Sequence, residues 1–174
     1  MNKYRSYFTC KRCNHIRNAG ITIVGVVIVT LFVGIFVSAS SPTVPSSGVV
    51  QEVYDGDTVL LASGQRVRYT GIDTAERGEE YHDNASRFNK QLVLGKKVRL
   101  EYDKEKIDRY KRLLAYVFVE ENGKEVMVNK RILEEGYAGI YYARPQMRYF
   151  RELLAAQQYA IIRNLAIWRY RLLE

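Results

Sequence analysis

The chain has 174 residues and a formal net charge of +8, a length that suits one domain. Lys3, Arg5, Lys11, Arg12 and Arg17 precede every acid; the other 22 Lys and Arg face all 19 Asp and Glu, a net of +3. That excludes a histone-like cation, whose affinity for a polyanion comes from bulk charge rather than local clustering.

Residues 1–19 form a basic segment, followed by an apolar run, Gly20 to Val37, with no charge and only two threonines as polar interruptions. At 1.5 Å per residue the run nearly spans a bilayer core of about 30 Å. The expectation is a transmembrane signal-anchor helix over 20–39, in contact with the lipid bilayer. The basic flank puts the N-terminus in the cytoplasm and the rest of the chain outside it, as a single-pass protein of the cell membrane. The competing reading is a cleaved secretory signal, with Val37-Ser38-Ala39 as small residues at a cleavage position and a secreted product. Cys10, Cys13 and nearby His15 make half a zinc site with no second half in the chain, so the cysteines read as free juxtamembrane thiols. Residues 40–48, rich in Ser and Pro, read as a short linker. The cysteines lie only in the N-terminal segment, so the domain over 49–172 has no disulfide and rests on its core.

Val49 to Tyr54 is rich in β-branched residues and ends at Asp55-Gly56, a hairpin signal; Thr58–Leu61 returns, and Arg66–Tyr69 alternates as a third strand after Ser63-Gly64. Asn84 to Leu94 places Ala85, Phe88 and Leu92 on one helical face, with Gly95 as its stop. Lys97–Tyr102 and Leu114–Val119 read as strands, and Asn122-Gly123 as a turn. Val128–Leu133 begins a short helix closed by Gly136. After Pro145, Met147, Phe150, Leu154, Ile161, Leu165 and Trp168 mark one face of a long final helix. Five short strands with helices between and after them predict a mainly β, α+β domain: a small closed Greek-key barrel, which removes exposed sheet edges.

Three islands hold the chemistry: Asp55-Gly56-Asp57-Thr58, the segment from Arg68 to Glu76, and the segment from Asp108 to Tyr116. Each has a bland reading. Asp55-Gly56 suits a type I′ turn, Asp73 and Glu76 suit a helix N-terminus, and Arg68 and Arg112 could be exposed basic residues. Taken together, Asp57, Asp73 and Glu76 are hard oxygen donors suited to Ca²⁺ or Mg²⁺ rather than zinc. Two guanidiniums facing such a cation would accommodate a phosphodiester.

The order Asp-Gly-Asp-Thr, then Arg with Asp-Thr-x-Glu, then Asp-x-Tyr-x-Arg-x-Leu-Ala-Tyr resembles the staphylococcal nuclease (thermonuclease) family, from about Val49 to Trp168. The resemblance implies a five-stranded OB-type barrel with three helices that cleaves DNA and RNA with one calcium ion. It implies that Asp57 and Asp73 bind the metal through carboxylates and Thr74 through its carbonyl, with Asp55 supporting them from behind. Glu76 would orient or deprotonate the attacking water. Arg68 and Arg112 would hold the phosphate and stabilise the transition state. Tyr110 and Tyr142 match positions lining a nucleotide pocket. Four departures stand out: Ala75 replaces a proline, Lys111 replaces a glycine, Arg144 replaces a second pocket tyrosine, and the loop between Glu76 and Tyr81 is shorter. The expected function is therefore a membrane-anchored, calcium-dependent nuclease acting on DNA, RNA or both. A barrel that binds single strands without cutting them is the alternative, and a membrane-tethered DNA receptor a third possibility.

Overall fold

The computed structural model of the chain describes residues 44–141 and 146–169. The basic segment 1–19, the apolar run 20–39, Cys10 and Cys13, the first linker residues, Tyr142, Arg144 and the end of the chain lie outside the described residues. Among the described residues no helix is long and apolar enough to cross a membrane.

Among the described residues eight strands and three helices follow in order: β1 (Ser47–Val53), β2 (Thr58–Leu61), β3 (Arg66–Tyr69), β4 (Ile72–Thr74), α1 (His82–Val93), β5 (Lys97–Glu101), β6 (Leu113–Glu121), β7 (Lys124–Met127), α2 (Val128–Glu134), β8 (Ala138–Ile140) and α3 (Phe150–Ile162). A 3₁₀ turn over Ala166–Trp168 completes them. The main sheet runs β3-β2-β1-β5-β6-β7 and closes on itself where β3 pairs with β6. That closure is parallel, Val67 with Leu113, Arg68 with Leu114 and Tyr69 with Ala115, while the other pairs around the barrel are antiparallel. Five strands, β1, β2, β3, β6 and β5, therefore make the closed barrel expected from the sequence, with β7 as a flange on β6.

Strand alternation sets the interior. Val59, Leu61, Val67, Tyr69, Val98, Leu100, Ala115 and Val117 are buried, while their neighbours Leu60, Arg68, Arg99 and Leu114 are only partly so. α2 lies against β6 and α3, and Asn129 of α2 reaches into the barrel wall. Its Oδ1 accepts the Val117 N–H at 2.9 Å, and its Nδ2 donates to Thr70 O at 2.9 Å. One fully buried amide thus ties the end of β3 to β6.

Several expectations need correction. β1 begins at Ser47, inside the segment expected as linker, because Ser47 and Gly48 pair with Arg99 and Val98 of β5. β4, β7 and β8 are additional strands, and β4 with β8 forms a separate two-stranded sheet. The final helix stops at Ile162. Asn164 takes a left-handed φ of 54°, its N–H reaching Ile161 O and the Leu165 N–H reaching Ala160 O, each at 3.0 Å, the pattern of a Schellman cap. The buried face of that helix is Leu153, Ala156 and Ala160, rotated from the expected stripe, because the small alanines allow close approach where larger residues stay on the flank. The Gly136 expectation holds. Its φ is 77°, and the Gly136 and Tyr137 N–H groups cap α2 on Leu133 O and Ile132 O.

Candidate functional site

The β1–β2 connection carries Asp55, Gly56 and Asp57. The Asp55 side chain folds back to accept the Asp57 N–H at 3.0 Å. Gly56 is not left-handed, so the type I′ expectation fails. What the position requires is space: a Cβ there would lie 2.7 Å from both the Ala85 Cβ and the Thr74 Cγ2. The hairpin tip is pressed against α1 and β4, which brings Asp57 to Thr74.

Asp57 is 4% exposed. Its Oδ2 accepts the Thr74 N–H and Oγ1–H, both at 2.9 Å, and its Oδ1 accepts the Thr58 hydroxyl at 3.1 Å. Arg68 of β3 lies 3.0 Å from Asp57 Oδ1 through Nη1 and 2.5 Å from Asp73 Oδ1 through Nη2. The same guanidinium donates to Tyr69 O and Ile72 O at 3.2 and 2.8 Å. One cation is therefore shared by two carboxylates from different elements and oriented by the β3–β4 turn. Burial pushes the Asp57 carboxyl up to about 6, against the pull of Arg68 and the Thr74 hydrogen bonds.

Behind the cluster, Tyr69 donates its hydroxyl to Asn89 Oδ1 at 2.9 Å, and Asn89 Nδ2 donates to Asp55 O at 3.0 Å. Burial pushes the Tyr69 hydroxyl pKa far above its ordinary range, so it remains a donor. This brace was not read from the sequence; an asparagine in mid-helix beside apolar neighbours was its only signal.

Arg112 and Tyr110 occupy a second cluster. Asp108 accepts the Tyr110 and Arg112 N–H groups through Oδ1 at 2.8 and 2.9 Å, and the Arg112 Nε–H through Oδ2 at 2.7 Å. Burial raises the Asp108 carboxyl, but these bonds outweigh it and hold it below its ordinary value. The Tyr110 ring, 55% exposed, has the Arg112 guanidinium 5.3 Å from its centre. Lys111 takes φ 62°, with its N–H on Asp108 O at 3.0 Å and the Asp108 N–H on Arg112 O at 3.0 Å. This is the left-handed position that ends such a hairpin turn and favours glycine.

The structure thus groups Asp55, Asp57, Arg68, Asp73 and Thr74. Arg112 stands just ahead of β6, two residues before Leu114, the register partner of Arg68, so the parallel seam brings the segments carrying the two arginines side by side. Glu76 lies in the exposed turn after β4, its N–H donating to Glu79 Oε2 at 2.7 Å. Among the described residues no three His, Cys, Asp or Glu side chains are gathered as a metal-binding group. Asp57 and Asp73 are nevertheless hard donors with one guanidinium between them, and that donor set fits a hard divalent cation better than a soft one.

Fold and site together define a small closed barrel of the oligonucleotide-binding type, with an acid–guanidinium cluster on one rim. Residues 66–170 match the family model described as staphylococcal nuclease homologue. The chain is 38% identical over 128 residues to a thermonuclease of Staphylococcus hyicus, covering 68% of this chain and 73% of that protein. It is 34% identical over 164 residues to a thermonuclease of Staphylococcus intermedius, covering 86% and 95%. With Endonuclease YncB of Bacillus subtilis it shares 38% over 125 residues, covering 66% and 57%. The chain belongs to the staphylococcal nuclease family.

Proposed function

We propose that this protein is a calcium-dependent nuclease that hydrolyses phosphodiester bonds of DNA, RNA or both through attack by water. The observation that carries the reading is Arg68, held between Asp57 and Asp73, on the strand that pairs with β6, whose first residue directly follows Arg112. Asp57, Asp73 and the Thr74 carbonyl would hold the ion, which when bound supplies positive charge for phosphoryl oxygens. Arg68 and Arg112 present planar donor forks suited to a phosphate, and charge building on its oxygens during attack is what they stabilise. Glu76, solvent-exposed, orients or deprotonates the water. Tyr110 and Tyr142 offer ring faces to bases. Nuclease relatives support this reading. The second reading is a barrel that binds nucleic acid without cutting it.

Incubating the purified full-length chain with single-stranded DNA, with calcium or with EDTA, separates the two. Calcium-dependent shortening is expected. Binding without shortening in both conditions would establish the binding module instead. The proposal places the domain outside the cytoplasm, held by residues 20–39 as a bilayer anchor. Support for this is the uncharged run and its basic flank. The mass of the mature N-terminus tests it, since a loss ending near Ala39 would mean secretion.

A further inference from the structure

A cavity of about 570 Å³ opens beside Asp73 and Thr74, between the β4–β8 sheet and the 3₁₀ turn. Tyr110 is not among its lining residues, so it is separate from the pocket the arginine hairpin would form. Its wall combines three rings, Tyr81, Tyr141 and Trp168, with the carboxylates of Glu79 and Glu80 and the amide of Gln157. Gln157 Oε1 is taken by the Ile140 N–H at 2.7 Å, which leaves the NH₂ of that amide as a donor toward ligand. Position 139, the register partner of Asp73, is a glycine that lines the cavity. A Cβ there would point at Gln157 Oε1 and Trp168 Cζ2, at 3.9 and 4.0 Å.

Resting on the nuclease reading above, we propose that this cavity is a subsite for the nucleobase next to the scissile phosphate. Carboxylates at the rim repel a phosphate, so a nucleotide entering here must lead with its base. A base brings a flat π-face for the rings and an edge that mixes N–H donors with acceptors. The lining offers the complement of both: carboxylate acceptors and an amide donor. Size is also adequate, since the volume lies in the range of small-ligand pockets. A phosphate held by the Arg68 cluster leaves the adjoining nucleotide at the cavity mouth, because Asp73 and Thr74 belong to both.

Trp168 is the only tryptophan of the chain, so its emission reports on the cavity alone. The test titrates the full-length protein, in EDTA so that nothing is cut, with a 5′-labelled tetradeoxyadenylate. Label anisotropy gives binding, and Trp168 emission gives occupancy of the cavity. Binding is expected to quench Trp168, and an abasic tetramer is expected to leave it unchanged. Gly139→Leu, which fills the cavity, should abolish the quenching. Tyr141→Leu, at a position 47% exposed, should weaken tetramer binding about tenfold, the scale of one lost base stack, with its melting temperature checked against wild type. Binding with unchanged emission, equal quenching by the abasic tetramer, wild-type affinity in Tyr141→Leu, or quenching by spermine but not by the tetramer would overturn the subsite. Cleavage of long DNA with calcium is scored separately. A protein that cuts without quenching keeps the nuclease reading and loses this one; one that quenches without cutting overturns the nuclease reading and leaves a base-binding cavity with no scissile phosphate beside it.

Discussion

A buried carboxylate whose oxygens are all engaged still carries a cost when it ionises, and Asp57 has that character. Its pKa is raised from 3.8 to about 6, so the folded state prefers the protonated form. The stability this group contributes is complete below about pH 4 and is lost as pH rises through about 6. In EDTA, Asp57→Asn is therefore expected to gain melting temperature relative to wild type between about pH 4 and 7, and added calcium should favour wild type again. Melts across that range check it; a constant difference would show that Asp57 does not titrate there. Arg112→Ala should lower the cleavage rate about 10²–10³-fold, the scale of one electrostatic stabiliser, as single-turnover kinetics would reveal. An unchanged rate would remove Arg112 from the mechanism. Much at this scale was legible: Asp57, Arg68, Asp73 and Thr74 do meet. The sequence could not show that Arg68 bridges the two acids, because that depends on how the β3–β4 turn aims one guanidinium. Nor could it show Asn89, whose partners are 20 and 34 positions away.

Hairpins and caps carried the clearest local signals. Gly136 ends its helix as expected, and Lys111 occupies the left-handed position that its replacement of a glycine suggested. A lysine there bears a steric cost of roughly 1–2 kcal/mol that glycine avoids, partly offset by glycine's greater freedom when unfolded. Lys111→Gly is expected to leave stability unchanged or raise it by up to about 1 kcal/mol, with cleavage retained. Urea unfolding measures this, and a clear loss of stability would mean that the lysine side chain holds the loop. The shortest elements were the ones missed. β4 and β8 have three residues each, too few to display an alternation, and they exist because each pairs with the other. The stripe assigned to the last helix failed for another reason: α3 packs through alanines, which a search for large apolar residues passes over.

Across the whole molecule, barrel and last helix are latched by Glu101. The Arg99 guanidinium beside it holds its carboxyl down at about 2, with further bonds from Tyr149 and Arg148, the last two at 2.8 and 2.7 Å. A pKa depressed from 4.5 means stability that is present above about pH 4.5 and lost as pH falls toward 2. Glu101→Gln should melt below wild type near pH 7, and the gap should narrow as acid is added; a pH-independent gap would assign the role to packing. The barrel itself was legible because the antiparallel strands follow one another. Its closing seam was not, since β3 and β6 are parallel and far apart in the chain. That seam also has a bearing on biosynthesis. A nascent polypeptide acquires Asp57, Arg68 and Asp73 early, but the wall that fixes Arg68 is complete only once Leu113–Ala115 has been made and docked. A product truncated before that point would hold every acid of the cluster without the seam that positions it, so premature termination is expected to leave inert fragments rather than weak enzymes.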